Sequence, residues 1–228
     1  MFEISPNTEV IEYLLSGNYK PGHLTTIYGN AASGKTTSCL LAAISCAKKK
    51  YKTIFVDTES GFSTKRLEQL TNERNLLDYL FLIQPKSFQE QHHTILKLKK
   101  LCNNEKIKLI IIDTIGSHYR VKLNSDYTKI NSMLVLQLKN LVRIARDLNK
   151  VVIITNQVYS KLGEKDQLGM VGGSIIPHMS RCVIELKKTD QKRFASIVKH
   201  KMPTPKTTYY RLGKKIEFEI KEKGLSLV

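Results

Sequence analysis

Eight residues, GNAASGKT at 29–36, carry the sharpest chemistry in the sequence. They fit the spacing GxxxxGK[ST] and stand between an apolar run, LTTIY (24–28), and a segment of helical periodicity from Gly34 to about Lys50. A loop so placed turns successive backbone N–H groups toward a phosphate at a helix N-terminus. Gly29, Asn30, Ala31, Ala32, Ser33, Gly34, Lys35, Thr36 and Thr37 are therefore candidate nucleotide-binding residues. Lys35 supplies a point charge to the outer phosphates and the Thr36 hydroxyl a ligand for Mg2+. The combination asks for ATP with Mg2+.

Such a site also needs carboxylates. Asp113 closes the apolar run KLIIID (108–113), where it can polarise Mg2+ directly or through water. Thr114 follows it, so no second acid stands beside it to orient a water. Glu59 in FVDTESGF (55–62), at the tip of another apolar run, is the candidate for that work. Turn capping by Asp113 and a plain surface role for Glu59 are the competing readings, and the phosphate loop favours the catalytic ones.

The elements that must hold these residues alternate short β-branched runs with helical stretches. Strands are expected at 24–28, 53–57, 79–84, 108–113 and 151–156, and helices at about 34–50, 63–73, 87–103 and 127–149. The strands are apolar on both faces, as in a parallel sheet covered by helices. The fold class is therefore α/β, a mostly parallel central sheet flanked by helices. Residues 1–20 read as a lead-in and 158–174 as a mobile, glycine-bearing loop. RCVIELKK, RFASIVKH, TTYYRL and KIEFEI, within 181–228, leave no room for crossover helices and predict C-terminal antiparallel strands.

The composition bounds the partners. Residues 1–60 carry 6 basic and 5 acidic groups, 61–180 carry 18 and 10, and 181–228 carry 13 and 5. An excess of this size suits a polyanion such as nucleic acid, although 29 of the 37 cations are lysines, which a lysine-rich composition alone would supply. The four cysteines form no CxxC pair, which suggests reduced thiols, and no zinc site is expected. No apolar run is long enough to span a bilayer, and the expected location is cytoplasmic, with no membrane partner.

In order along the chain, YGNAASGKTT (28–37), VDTESGFSTKRL (56–67), KLIIIDTIGSHYR (108–120), VVIITNQV (151–158), GGSIIPHMSRCVIEL (172–186), VKHKMP (198–203) and FEIKEKGL (218–225) resemble the RecA-type recombinases, above all the small archaeal relatives of the recombinase RadA. The resemblance implies a RecA-like P-loop ATPase core forming a single domain over 1–228. It gives Glu59, Lys35 and Gln157 catalytic roles, Gln157 as the sensor of the γ-phosphate, and sets Arg66 near the adenine. It makes the segments after Asp113 and Gln157 DNA-facing loops. The first holds His118, Tyr119, Arg120 and Lys122, the second Tyr159, Lys161, Lys165 and Met170; such cations and rings suit single-stranded DNA. Lys199 and Lys201 fall on lysines of bacterial RecA that reach a neighbour's γ-phosphate across a subunit border, with contact to DNA or to a RadA-type partner as the alternative.

The implied function is a weak, DNA-dependent ATPase acting in DNA repair and homologous recombination, as an accessory or mediator to a RadA-type recombinase or other repair proteins. A nucleotide-switched binding module with negligible turnover, and a KaiC-like signalling ATPase, are the alternatives. Two departures stand out. The sequence begins about 28 residues before its phosphate loop, so neither an N-terminal helical DNA-binding domain nor a polymerising linker is expected, and Ala32 replaces a glycine common in relatives.

Overall fold

Apolar residues dominate both faces of the central strands because both faces are covered. In β2 (Lys52–Asp57), β4 (Ile107–Asp113) and β5 (Val151–Ser160), Phe55, Leu109, Ile111, Val151 and Ile153 enter one core, while Ile54, Val56, Ile110, Ile112, Val152 and Ile154 enter the other. The computed structural model describes residues 2–71, 73–122, 127–160, 168–200 and 214–228. Helices α1 (Glu9–Leu15), α2 (Lys35–Lys48) and α3 (Thr64–Leu70) close the first core; α4 (Phe88–Leu101), α5 (Ser117–Lys122), α6 (Tyr127–Asp147) and α7 (Ile175–Met179) close the second.

The remaining strands are β1 (Leu24–Gly29), β3 (Leu80–Ile83), β6 (Leu168–Met170), β7 (Cys182–Lys188), β8 (Arg193–His200), β9 (Lys215–Lys221) and β10 (Gly224–Leu227). The sheet runs β10-β9-β8-β7-β1-β5-β4-β2-β3, with β6 paired to β5 off this path. From β7 to β3 every pairing is parallel, and β8, β9 and β10 add on antiparallel. The carboxyl ends of β1, β2, β4 and β5 thus open at one sheet edge, the usual place for a ligand in such folds.

Local signals set the helix starts. The Ser63 hydroxyl accepts from Arg66 N at 3.2 Å, and Ser87 accepts from Glu90 N at 3.1 Å while the Glu90 carboxylate reaches back to Lys86 N at 2.8 Å. Where the fold departs from the sequence reading, long-range contacts decide. Strand β7, expected only in antiparallel hairpins, pairs parallel with β1 on one side, because the stretch through α7 makes a crossover that polar sequence concealed. The segment read as a loop at 158–174 extends β5 to Ser160 and pairs it with β6, and α1 forms inside the lead-in. TTYYRL (207–212) lies outside the described residues. Among these residues no helix is long and apolar enough to cross a membrane.

Candidate nucleotide site

The phosphate loop is built around backbone that only small residues permit. A Cβ on Gly29 would stand 1.9 Å from the Leu186 carbonyl oxygen, so glycine lets β1 and β7 stay paired where the loop begins. Gly34 (φ +103°) turns the chain into α2, and Ala32 takes φ +56°, a left-handed conformation in which its methyl costs about 1–2 kcal/mol that a glycine would avoid. The Lys35 ammonium donates to the carbonyls of Gly29 at 2.9 Å and Asn30 at 2.7 Å. Burial pulls its pKa below the usual lysine range, and the Asp113 and Glu59 carboxylates act against that shift.

Asp113, at the end of β4, is 6% exposed and accepts from Thr36 Oγ1 at 2.7 Å through Oδ2 and from the Thr155 hydroxyl through Oδ1. Burial raises its pKa above the usual carboxylate range, against the two hydroxyl bonds, which favour the charged form. Two hard oxygens, one hydroxyl and one carboxylate, therefore meet at the N-terminus of α2. Among the described residues no group of three or more His, Cys, Asp or Glu is placed to hold a metal. That donor set fits Mg2+, which takes few protein ligands and completes its shell with phosphate and water.

Glu59 lies just past β2. Its Oε1 accepts from Thr114 Oγ1 and from Gln157 Nε2, each at 2.5 Å. Thr114, the residue whose lack of charge pointed to Glu59, is thus one of its two anchors. Asp57, almost fully buried, fixes the turn beneath: its carboxylate accepts from Gly61 N at 3.1 Å, Phe62 N at 3.0 Å and Gln84 Nε2 at 3.0 Å. Residues 31–37, Glu59, Asp113, Thr114 and Gln157 line one cavity of about 840 Å³. Its far wall is Arg66, Gln69, Arg193 and residues 220–222. Arg66 secures that wall, donating to Gln69 Oε1 at 3.1 Å and to the carbonyls of Glu222 at 2.9 Å and Lys221 at 3.1 Å.

The family model described as Rad51 matches residues 1–224. The chain belongs to the Rad51 family. It is 34% identical over 212 residues to the DNA repair and recombination protein RadB of Archaeoglobus fulgidus, covering 92% of this chain and 95% of that protein. It is 37% identical over 203 residues to that of Methanococcoides burtonii, covering 87% and 89%. A crystal structure of the RadB recombinase superposes with a TM-score of 0.80 at 31% identity and covers 99% of both chains. The RecA-like α/β fold is thereby established.

The Rad51-family residues expected to face DNA divide. Arg120 is exposed on α5, Tyr159 is 45% exposed on β5, and both line a second cavity, of about 550 Å³, with Tyr127, Asn131 and Gly172. Tyr119 offers no stacking face: it is 3% exposed, its ring packs against Phe88 at 6.0 Å and its hydroxyl donates to Asn131 Oδ1 at 2.5 Å. The side chain of Lys122, and Lys161 and Lys165 entirely, lie outside the described residues. Lys199, far along β8, donates to the carbonyls of Pro177 at 2.6 Å and His178 at 3.2 Å, which closes the C-terminal end of α7; Lys201 is outside the described residues. Thr114, Thr155, Asp57 and Arg193 escaped the sequence reading. Only Asp57, ending an apolar strand beside Glu59, carried a visible signal.

Proposed function

We propose that this chain is an ATP- and Mg2+-binding DNA repair and recombination protein of the RadB type, with weak ATPase activity, working beside a RadA-type recombinase. One observation carries the reading: Lys35, Thr36, Glu59, Asp113 and Gln157, from the ends of four parallel strands, line one cavity. When bound, Mg2+ would be held by Thr36 and, directly or through water, by Asp113, and would neutralise charge on the phosphates.

The protein's own groups do the rest. Lys35 exchanges two loop carbonyls for outer phosphate oxygens, a stronger, charge-assisted partnership. Glu59, held by Thr114 and Gln157, orients the attacking water and accepts its proton as the water oxygen bonds to the terminal phosphorus and ADP departs. Gln157 keeps one N–H on Glu59 and gives the second to the terminal phosphate, exchanging it for water once that phosphate leaves. Its main chain accepts from Val171 N at 3.1 Å, so that exchange reaches the wall of the second cavity, where Arg120 and Tyr159 suit single-stranded DNA.

This linkage also supports a second reading, a nucleotide-switched DNA-binding module with negligible turnover. Equilibrium titration with Mg-ATP and hydrolysis rates with and without single-stranded DNA test both. ATP binding that is lost in Lys35→Ala supports the site, and DNA-stimulated turnover selects the ATPase over the switch. A wild-type chain that binds no nucleotide would sink both.

A further inference from the structure

We infer that Arg193 is a phosphate-binding residue acting within the same chain, gripping the inner phosphates of the nucleotide from the side opposite Glu59; this rests on the nucleotide reading above. The sheet register places it. Gly29 of β1 pairs with Leu186 of β7, which pairs with Ala195 of β8, so Arg193 stands two residues beyond the level at which the phosphate loop begins. Side chains two apart share a face of a strand. Ala195 is buried in the first core, the one closed by α1, α2 and α3, and Arg193 therefore emerges on that same face of the sheet. On its other flank it pairs with Phe218 of β9, two residues before Ile220, whose Cδ1 comes within 3.3 Å of the Cβ position of Gly34. Arg193 thus lies diagonal to Leu186 and to Ile220, which touch the first and last glycines of the loop, and it lines the cavity that the loop forms.

The guanidinium reaches this position without a counter-charge. Among the described residues no carboxylate pairs with it: on the neighbouring strand Glu217 is bound by Lys192 at 3.1 Å and Glu219 by Lys221 at 3.5 Å. Its Nε is buried with no hydrogen-bond acceptor. A buried donor without an acceptor is costly, and one on a planar, permanently charged fork calls for an anion with paired oxygens. The terminal phosphate is not the one in reach, because Glu59 and Gln157 belong to the β2 and β5 side of the cavity, whereas Arg193 enters from β8. What lies between is the N-terminus of α2, where the inner phosphates collect. Lys199 differs: six residues along the same strand, roughly 20 Å away, its ammonium bonds α7 carbonyls.

The test is the affinity of Arg193→Ala, Arg193→Lys and wild type for Mg-ATP, Mg-ADP and Mg-GTP, measured by equilibrium titration. Lys188→Ala serves as a charge control, since Lys188 is exposed and pairs with Arg193 across the strands but stands outside the cavity. The alanine variant should weaken ATP and ADP alike by about 10- to 100-fold, the lysine variant should recover part of that, and Lys188→Ala should bind like wild type. Unchanged affinity in Arg193→Ala would overturn the assignment, as would an altered preference for ATP over GTP without loss of overall affinity, which would make Arg193 a base contact. Failure of wild type to bind any nucleotide overturns the nucleotide reading itself and this inference with it.

Discussion

In the proposed hydrolysis Glu59 works only if its carboxylate stays where a water can meet the terminal phosphorus, and two short hydrogen bonds hold that carboxylate. Thr114 is the positioning partner open to a clean test, because Thr→Val preserves shape and deletes only the hydroxyl that donates to Glu59 Oε1. We expect Thr114→Val to lower kcat about 10-fold with nucleotide affinity unchanged, and Thr114→Ser to restore the rate. Glu59→Gln should lose about 100-fold or more, the usual worth of a general base. A structural role for Thr114 would move binding and stability together with kcat; equal kcat in wild type and Thr114→Val would remove it from the mechanism. At this scale the motif spacing already placed Lys35, Thr36 and Asp113 in one site, and the structure brings all three to the same cavity. The sequence was silent on Thr155, whose contact with Asp113 spans 42 positions and exists only because β4 and β5 lie side by side.

Strands β4 and β5 do more than deliver Asp113 and Gln157, since β5 runs on past the site and, in the proposed mechanism, would carry its state outward. Asn156, fully buried, donates to the Val171 carbonyl at 2.7 Å, and Val171 N donates back to the Gln157 carbonyl, so the segment after β6 is stitched to β5. Gly116 makes room for this stitch: a Cβ there would stand 2.4 Å from Asn156 Oδ1. Asn156→Ala should therefore bind ATP normally while the ratio of single-stranded DNA affinities in a nonhydrolysable ATP analogue and in ADP collapses toward unity. A ratio equal to that of wild type would show that nucleotide state does not travel through this strand. The parallel strands were legible because burial on both faces writes an unbroken apolar run. Elements α1 and β10 were not, because they stabilise each other from opposite ends of the chain, Thr8 Oγ1 donating to the Leu225 carbonyl across 217 positions at 2.9 Å. No periodicity within either segment records such a bond.

Over the whole molecule, a formal charge of +17 attracts any polyanion, so DNA affinity alone would say little about where DNA sits. Salt dependence says more, because each phosphate contact releases counterions in proportion. If Arg120 and the lysines at 122, 161 and 165 each neutralise one phosphate of a single strand, log affinity should fall against log salt with a slope of about −3. Arg120→Ala should then shrink the magnitude of that slope by about 0.7. Lys100, exposed near the C-terminal end of α4, sits at the opposite end of the sheet, because α4 runs back from the carboxyl end of β3 to the start of β4. Lys100→Ala removes the same formal charge there, and contact at α5 and β5 requires that it leave the slope alone. Equal slope changes in the two variants would mean that net charge, and not the second cavity, holds the DNA, and a flat slope in wild type would remove phosphate contact altogether.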